Sequence, residues 1–215
     1  MIGLILKDVF NLKKYVKQIS LSVVVFGIFA VQLKNPTYLI GMMLMMCSML
    51  VITSMSYDES TKWDKYALTM PILKKDIVLS KYILLVCLVA AGTVFSGIIS
   101  MIMSEIMQIQ EPKEIMLICG AVALVMLLIF SVLMPLLLKY GVEKARILIF
   151  AIVGLPVLAI TAFVKLMQRL NIPKPDEAQL EKLSEILPYA FPVIVLAVLF
   201  LSYNLSVRIY SNKEM

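Results

Sequence analysis

The chain has 215 residues, 61% of them hydrophobic and 16% charged, with a mean hydropathy of +0.96. Soluble domains hold about 45–50% apolar residues, so this composition excludes an ordinary water-soluble domain and predicts a polytopic membrane protein. With no histidine in the chain, imidazole triads, His metal sites and His proton shuttles are excluded, and the net charge of +6 comes without the aromatic-interleaved basic patch of a nucleic-acid binder.

The N-terminal stretch MIGLILKDVFNLKKYVKQ lacks the order of basic flank, apolar run and small-residue cleavage site of a signal peptide, and is read as retained. Within it Ile2, Ile5, Val9, Leu12, Val16 and Ile19 recur at three- and four-residue steps, with Lys7, Lys13, Lys14 and Lys17 at other positions. That pattern predicts a helix lying in the interface, basic face toward anionic headgroups. A plain extension of the first span is the alternative. Six spans are predicted, at 18–33, 37–56, 82–104, 115–138, 147–165 and 188–207, each near the length a bilayer needs. The first is short, and Lys17 and Lys34 can snorkel from its ends.

The second span is crowded with Met42, Met43, Met45, Met46, Met49 and Met55. Methionine suits surfaces that accommodate varied apolar ligands, although codon bias explains the count equally well. The third carries Gly92, Ser96, Ser100 and Ser104 at four-residue spacing, a stripe on which helices can approach closely; intramolecular packing, a subunit interface and a substrate path all fit it. Cys47, Cys87 and Cys119 lie apart in apolar runs and are expected to be small buried residues rather than ligands or disulfides. Pro135, Pro156, Pro188 and Pro192 can kink or break the later spans. Pro175, Asp176 and Glu177 open a short amphipathic helix with Leu180, Leu183 and Leu187 on one face, expected as a lid over the outer mouth or a helix resting on headgroups.

Between Tyr82 and Ser104 there is no charged side chain and the other predicted spans are similarly clean, a pattern expected to count against a transporter driven by its own ion or proton pathway. Sorted by the side on which each loop or span end falls, the 20 Lys and Arg residues divide 14 against 6 in favour of the set that includes both termini and the 57–82 segment. By the positive-inside rule that set is cytoplasmic. The whole chain, 1–215, reads as one membrane domain.

The longest polar interruption of the first half is YDESTKWDKYALTMPILKKDIVLSKY, with the only tryptophan of the chain. As a helix from Asp58 to Met70 it aligns Trp63, Tyr66, Ala67 and Met70 as one apolar stripe. Asp58 and Glu59 would start this helix, with Asp58 and Lys62 as an i,i+4 pair, and Pro71 would end it. From the residues alone, the stripe is either a headgroup anchor or an apolar contact for a partner's groove.

The segment resembles the cytoplasmic loop of small type-2 ABC permeases, the membrane subunits of bacterial ABC exporters such as those for phenol-soluble modulins. Glu59, Tyr66, Met70, Pro71, Lys74, Lys75, Lys81 and Tyr82 carry the resemblance over about 25 residues, and length and span layout extend it along the chain. It implies an all-α permease of six transmembrane helices, with the N-terminal interfacial helix and a cytoplasmic coupling helix between the second and third spans. Asp58, Glu59, Trp63, Tyr66, Ala67, Met70 and Pro71 would then dock on a separate ATPase subunit. The implied assembly holds two copies of that ATPase and a second permease, identical or homologous, in a bacterial plasma membrane, with a hydrophobic or amphipathic peptide as cargo. ATP and Mg2+ would be bound by the partner. None of the eight glycines here is followed by lysine, so the chain has no P-loop. The other reading is a membrane scaffold that recruits a non-ATPase partner. Membrane-embedded metalloprotease and aspartyl protease chemistry is disfavoured by the missing histidine and the missing intramembrane acid pair.

Overall fold

The computed structural model describes residues 2–67, 69, 73–108, 111–144 and 177–212, together with a few single positions between 154 and 166. The elements are α1 (Ile2–Leu12), a 3-10 turn (Lys13–Tyr15), α2 (Val16–Gln32), α3 (Thr37–Ser60), α4 (Trp63–Ala67), α5 (Lys74–Met107), α6 (Pro112–Tyr140) and α7 (Glu177–Ser211). Among the described residues there is no strand. Among the described residues five helical stretches are long and apolar enough to cross a membrane: Gly3–Gln32, Thr37–Ser60, Lys74–Met107, Pro112–Tyr140 and Pro188–Ser211. The predicted span at 147–165 falls largely outside the described residues.

Local chemistry sets the helix ends. Pro112 occupies the first turn of α6, where its missing N–H costs nothing, with Glu114 beside it and Lys139 in the last turn, each on the side the helix dipole favours. The α2–α3 turn closes with paired backbone bonds, Lys34 N to Val31 O and Asn35 N to Ala30 O, and Lys34 takes the left-handed conformation (φ 49°). Lys62 (φ 53°) plays the same part after α3.

Helices run beyond the apolar stretches from which they were predicted. α5 has 34 residues, about 51 Å of helix against a hydrocarbon core of about 30 Å, so its end projects from the bilayer. Pro135, Pro188 and Pro192 lie inside helices that continue past them. The lid-like helix expected near 175–187 is, from Glu177 on, the beginning of the same continuous helix as the last span.

α3 packs against α2, α5 and α6, while α7 packs against α5 and α6. Leu44, Val51, Leu85, Leu133, Met134 and Leu137 form the centre of the core. The small-residue stripe of α5 is turned inward onto α3, with Ser96, Ser100 and Ser104 buried. A Cβ added at Gly92 would meet Cys47 Cβ at 3.0 Å and Leu44 Cδ2 at 3.3 Å, and the Ser100 hydroxyl donates to the Pro36 carbonyl at 3.4 Å. Of the cysteines Cys119 is buried and Cys47 half-buried, but Cys87 is exposed on α5, contrary to expectation. The outer faces of α5 and α7 carry Phe95, Ile98, Ile102, Phe200 and Leu201 in the open, as lipid-facing helices do.

α1 buries a different row from the apolar stripe expected of it, and leads through the 3-10 turn into α2. Its buried row is Leu4, Asp8 and Leu12, whereas Val9, from the predicted apolar stripe, is exposed. α1 packs on α3 and α5, and Lys7 and Asp8 turn into the bundle. The reason is electrostatic: their partners, Asp58 and Lys81, stand at the neighbouring ends of α3 and α5.

Candidate functional site

The end of the bundle that bears α4 gathers the polar residues of an otherwise apolar chain. α3 continues through Asp58 and Glu59 to Ser60, so both acids close α3 instead of opening the next helix. Their position is the reverse of the one expected, because the C-terminal end of a helix disfavours negative charge. Each is compensated by a contact distant in sequence.

Asp58 belongs to a ring of four charges. Lys7 Nζ lies 2.6 Å from Asp58 Oδ1 and 3.3 Å from Asp8 Oδ1. Lys81 Nζ lies 2.5 Å from Asp58 Oδ2 and 2.8 Å from Asp8 Oδ2, and donates to Ser54 Oγ at 3.0 Å. The signs alternate around the ring and sum to zero. Asp8 is 1% exposed, Lys81 5% and Asp58 7%. The predicted Asp58–Lys62 pair is thus replaced by longer-range partners, and Lys81 is a buried charge, where the sequence suggested a loop cation.

Glu59 reaches the far end of α6. Its Oε2 accepts a hydrogen bond from Val142 N at 2.7 Å. Gly141 makes the approach possible: its φ of 80° and ψ of 165° lie in a region open in practice to glycine alone, and a Cβ there would stand 2.5 Å from Glu59 Oε1. Gly141→Ala is expected to cost about 1–3 kcal/mol in backbone strain, and more if Glu59 is displaced from Val142. The check is a fall in the thermal unfolding midpoint of the purified chain, larger than that for Gly120→Ala, whose added Cβ meets nothing within 4 Å.

Deeper in the bundle, Tyr82 joins α5 to α6 and α7. The Ser202 hydroxyl donates to the Ser131 carbonyl, which leaves its oxygen to accept the Tyr82 hydroxyl proton at 2.6 Å, while Ser206 donates to the Tyr82 oxygen at 2.8 Å. Tyr203 stands edge-on to the Tyr82 ring, 5.6 Å between centroids. Lys74 Nζ donates to the Ser211 carbonyl at 3.0 Å and ties the start of α5 to the end of α7.

α4 itself is a single short helix of five residues, not the run from Asp58 to Met70. The predicted stripe divides. Ala67 is fully buried and Trp63 half-buried, with Lys7 Nζ 4.3 Å from the centre of its ring. Tyr66 is 59% exposed, with its ring 5.6 Å from that of Trp63. Met70 and Pro71 lie outside the described residues. Gly92, Ser96, Ser100 and Ser104 stand along the α3 contact of α5, apart from this end of the bundle. Beside the ring, a cavity of ≈ 50 Å³ opens between Asp58, Lys81, Gly141 and Tyr210, large enough for ordered water. Among the described residues no cluster of acids and cysteines could hold a metal ion.

Reading the sequence missed the ring. One signal was there: Asp8 is the only acid in the first 57 residues and falls on the row Leu4–Asp8–Leu12.

A family profile described as "ABC-2 family transporter protein" matches residues 3–211. The chain belongs to the ABC-2 transporter family. This ABC-2 protein is therefore a multi-pass membrane permease component of an ABC transporter, a class that works with an ATPase partner. Neither a curated protein nor a solved structure matches the chain.

Proposed function

We propose that this permease exports a hydrophobic or amphipathic substrate, a peptide above all, and that α4 is the helix through which a separate ATPase subunit drives it. One observation carries the reading: between two long spans stands a short helix fixed inward by Ala67 and Trp63, with the Tyr66 ring facing outward. An aromatic pair with one ring packed inward and the other exposed is the type of surface on which partner grooves close. The transporter would contain two ATPase copies, which bind ATP and Mg2+, and a second permease subunit, identical or homologous.

The cargo class is supported by α3. It is the most enclosed of the spans among the described residues, yet Met42, Met45 and Met49 share an exposed face, with Tyr38 one turn earlier. Such a face adapts to varied apolar shapes. The test is purification of the chain with the ATPase encoded beside it, followed by ATP turnover with candidate peptides. Recovery of a non-ATPase partner alone would favour the scaffold reading.

We also propose that α4 and both termini face the cytoplasm of a bacterial cell, from the 14 to 6 division of basic residues. In a background with Cys47, Cys87 and Cys119 replaced, an impermeant thiol reagent applied to intact cells is expected to label Glu111→Cys and to spare Ser60→Cys. The opposite pattern would invert the orientation.

A further inference from the structure

A membrane protein whose apolar surface is this large has little reason to bury three charges, with a fourth half-buried beside them, unless they fix something. The ring of Lys7, Asp8, Asp58 and Lys81 joins three segments far apart in the chain, with separations of 51 and 73 residues across its hydrogen bonds. Each carboxylate touches both ammonium groups, and each ammonium touches both carboxylates. Loss of any one member leaves an unbalanced charge in a desolvated place, whereas loss of one of each sign leaves a neutral pair.

Lys7 has a second contact. Its Nζ stands 4.3 Å from the centroid of Trp63, a cation–π distance, so the ammonium that closes the ring also holds the α4 tryptophan. On the Lys81 side the Ser54 hydroxyl accepts from the ammonium, and the neighbouring α5 residues Ile77, Val78 and Tyr82 are all buried. A further pin joins the same segments, where the Tyr15 and Tyr57 hydroxyls are 2.7 Å apart and Lys14 Nζ is 3.7 Å from the Tyr57 ring centre. The N-terminal segment is therefore fastened to the end of α3 at two points.

We propose that Lys7, Asp8, Asp58 and Lys81 act as one charge-balanced positioning unit that sets Trp63, and with it α4, against α1. The contacts hold whatever the partner; their consequence for the ATPase rests on the coupling role proposed for α4. A push on α4 then moves α1 and the ends of α3 and α5 together instead of bending the link. These four are positioning residues, since they act on the partner through Trp63.

Trp63 is the only tryptophan in the chain, so its fluorescence reports on the unit with no partner present. The full chain in lipid nanodiscs would be compared as wild type, Asp8→Asn, Lys81→Met, the double variant Asp8→Asn/Lys81→Met, and Lys81→Arg. Each of the two neutralising single variants is expected to shift Trp63 emission to the red and to increase its quenching by acrylamide. The double variant, balanced again through Lys7 and Asp58, is expected to return toward wild type, as is Lys81→Arg. With the ATPase present, substrate-stimulated turnover should fall about tenfold or more in the single variants, and less in the double variant than the product of the two, because members of one network are not additive. Wild-type emission and quenching in both single variants would overturn the proposal. So would a double variant as perturbed as the two singles combined, and this second criterion still decides if the single variants misfold. A wild-type chain that recruits no ATPase would reject the coupling role of α4, while the fluorescence comparison would still decide whether the ring positions Trp63.

Discussion

Trp63→Ala is expected to weaken ATPase recruitment by roughly 30-fold, about 2 kcal/mol, and to stop transport while insertion in the membrane survives. The indole is half-buried, so its removal has two effects: it takes away the platform beside Tyr66, and it frees Lys7 from its ring contact. Tyr66→Arg separates them. Tyr66 is 59% exposed and outside the charge ring, so a charge there should abolish partner contact and leave the fold and its melting temperature unchanged. Pull-down of the ATPase and ATP turnover measure both variants. Retention of the ATPase by Trp63→Ala and Tyr66→Arg at wild-type levels would make α4 a headgroup anchor and favour the scaffold reading.

Gly92→Leu is expected to have the largest effect on the bundle. Lipid supplies no hydrophobic drive between helices, so close approach is what holds α3 to α5. An added Cβ at Gly92 already meets Cys47 Cβ at 3.0 Å and Cys47 Sγ at 3.1 Å, and three more carbons would force the helices apart. Overpacking of this type costs about 1–3 kcal/mol, and more if the Ser100–Pro36 contact opens with it. The measurement is the unfolding midpoint and monodispersity of detergent-purified protein. Gly120→Leu is the control, because Gly120 is exposed on α6 with open space at its Cβ position. Equal behaviour of the two variants would show that the close approach of α3 and α5 carries no stability.

Several features were legible because they are periodic or compositional. An excess of apolar residues, interrupted at turn-forming positions, leaves the backbone little choice in lipid except helices, since every N–H and C=O must be satisfied within its own segment. The spans of α3, α5, α6 and α7 followed from that alone, and the four-residue spacing from Gly92 to Ser104 marked a face of α5 before its neighbour was known. The break near Lys62 was harder to read. DESTK looks like the start of a helix, because acids before an apolar stripe are the usual N-terminal signature.

What put Asp58 and Glu59 at the end of α3 instead was pairing: Asp58 with Lys7, 51 positions away, and with Lys81, and Glu59 with the Val142 amide, 83 positions away. Sequence periodicity describes one segment at a time, and it assigns a lysine near a span end to water or headgroups. Burial of a charge is decided by whether an opposite charge arrives from elsewhere, and that depends on how helices cross. Composition and spacing therefore specify a helical membrane protein, its main spans and the packing-competent face of α5. The crossing of the helices supplies the rest: α1 docks by Lys7 and Asp8, Trp63 leans on Lys7 while Tyr66 faces out, and Gly141 admits Glu59, because each is a balance of desolvation against a partner brought in by the fold.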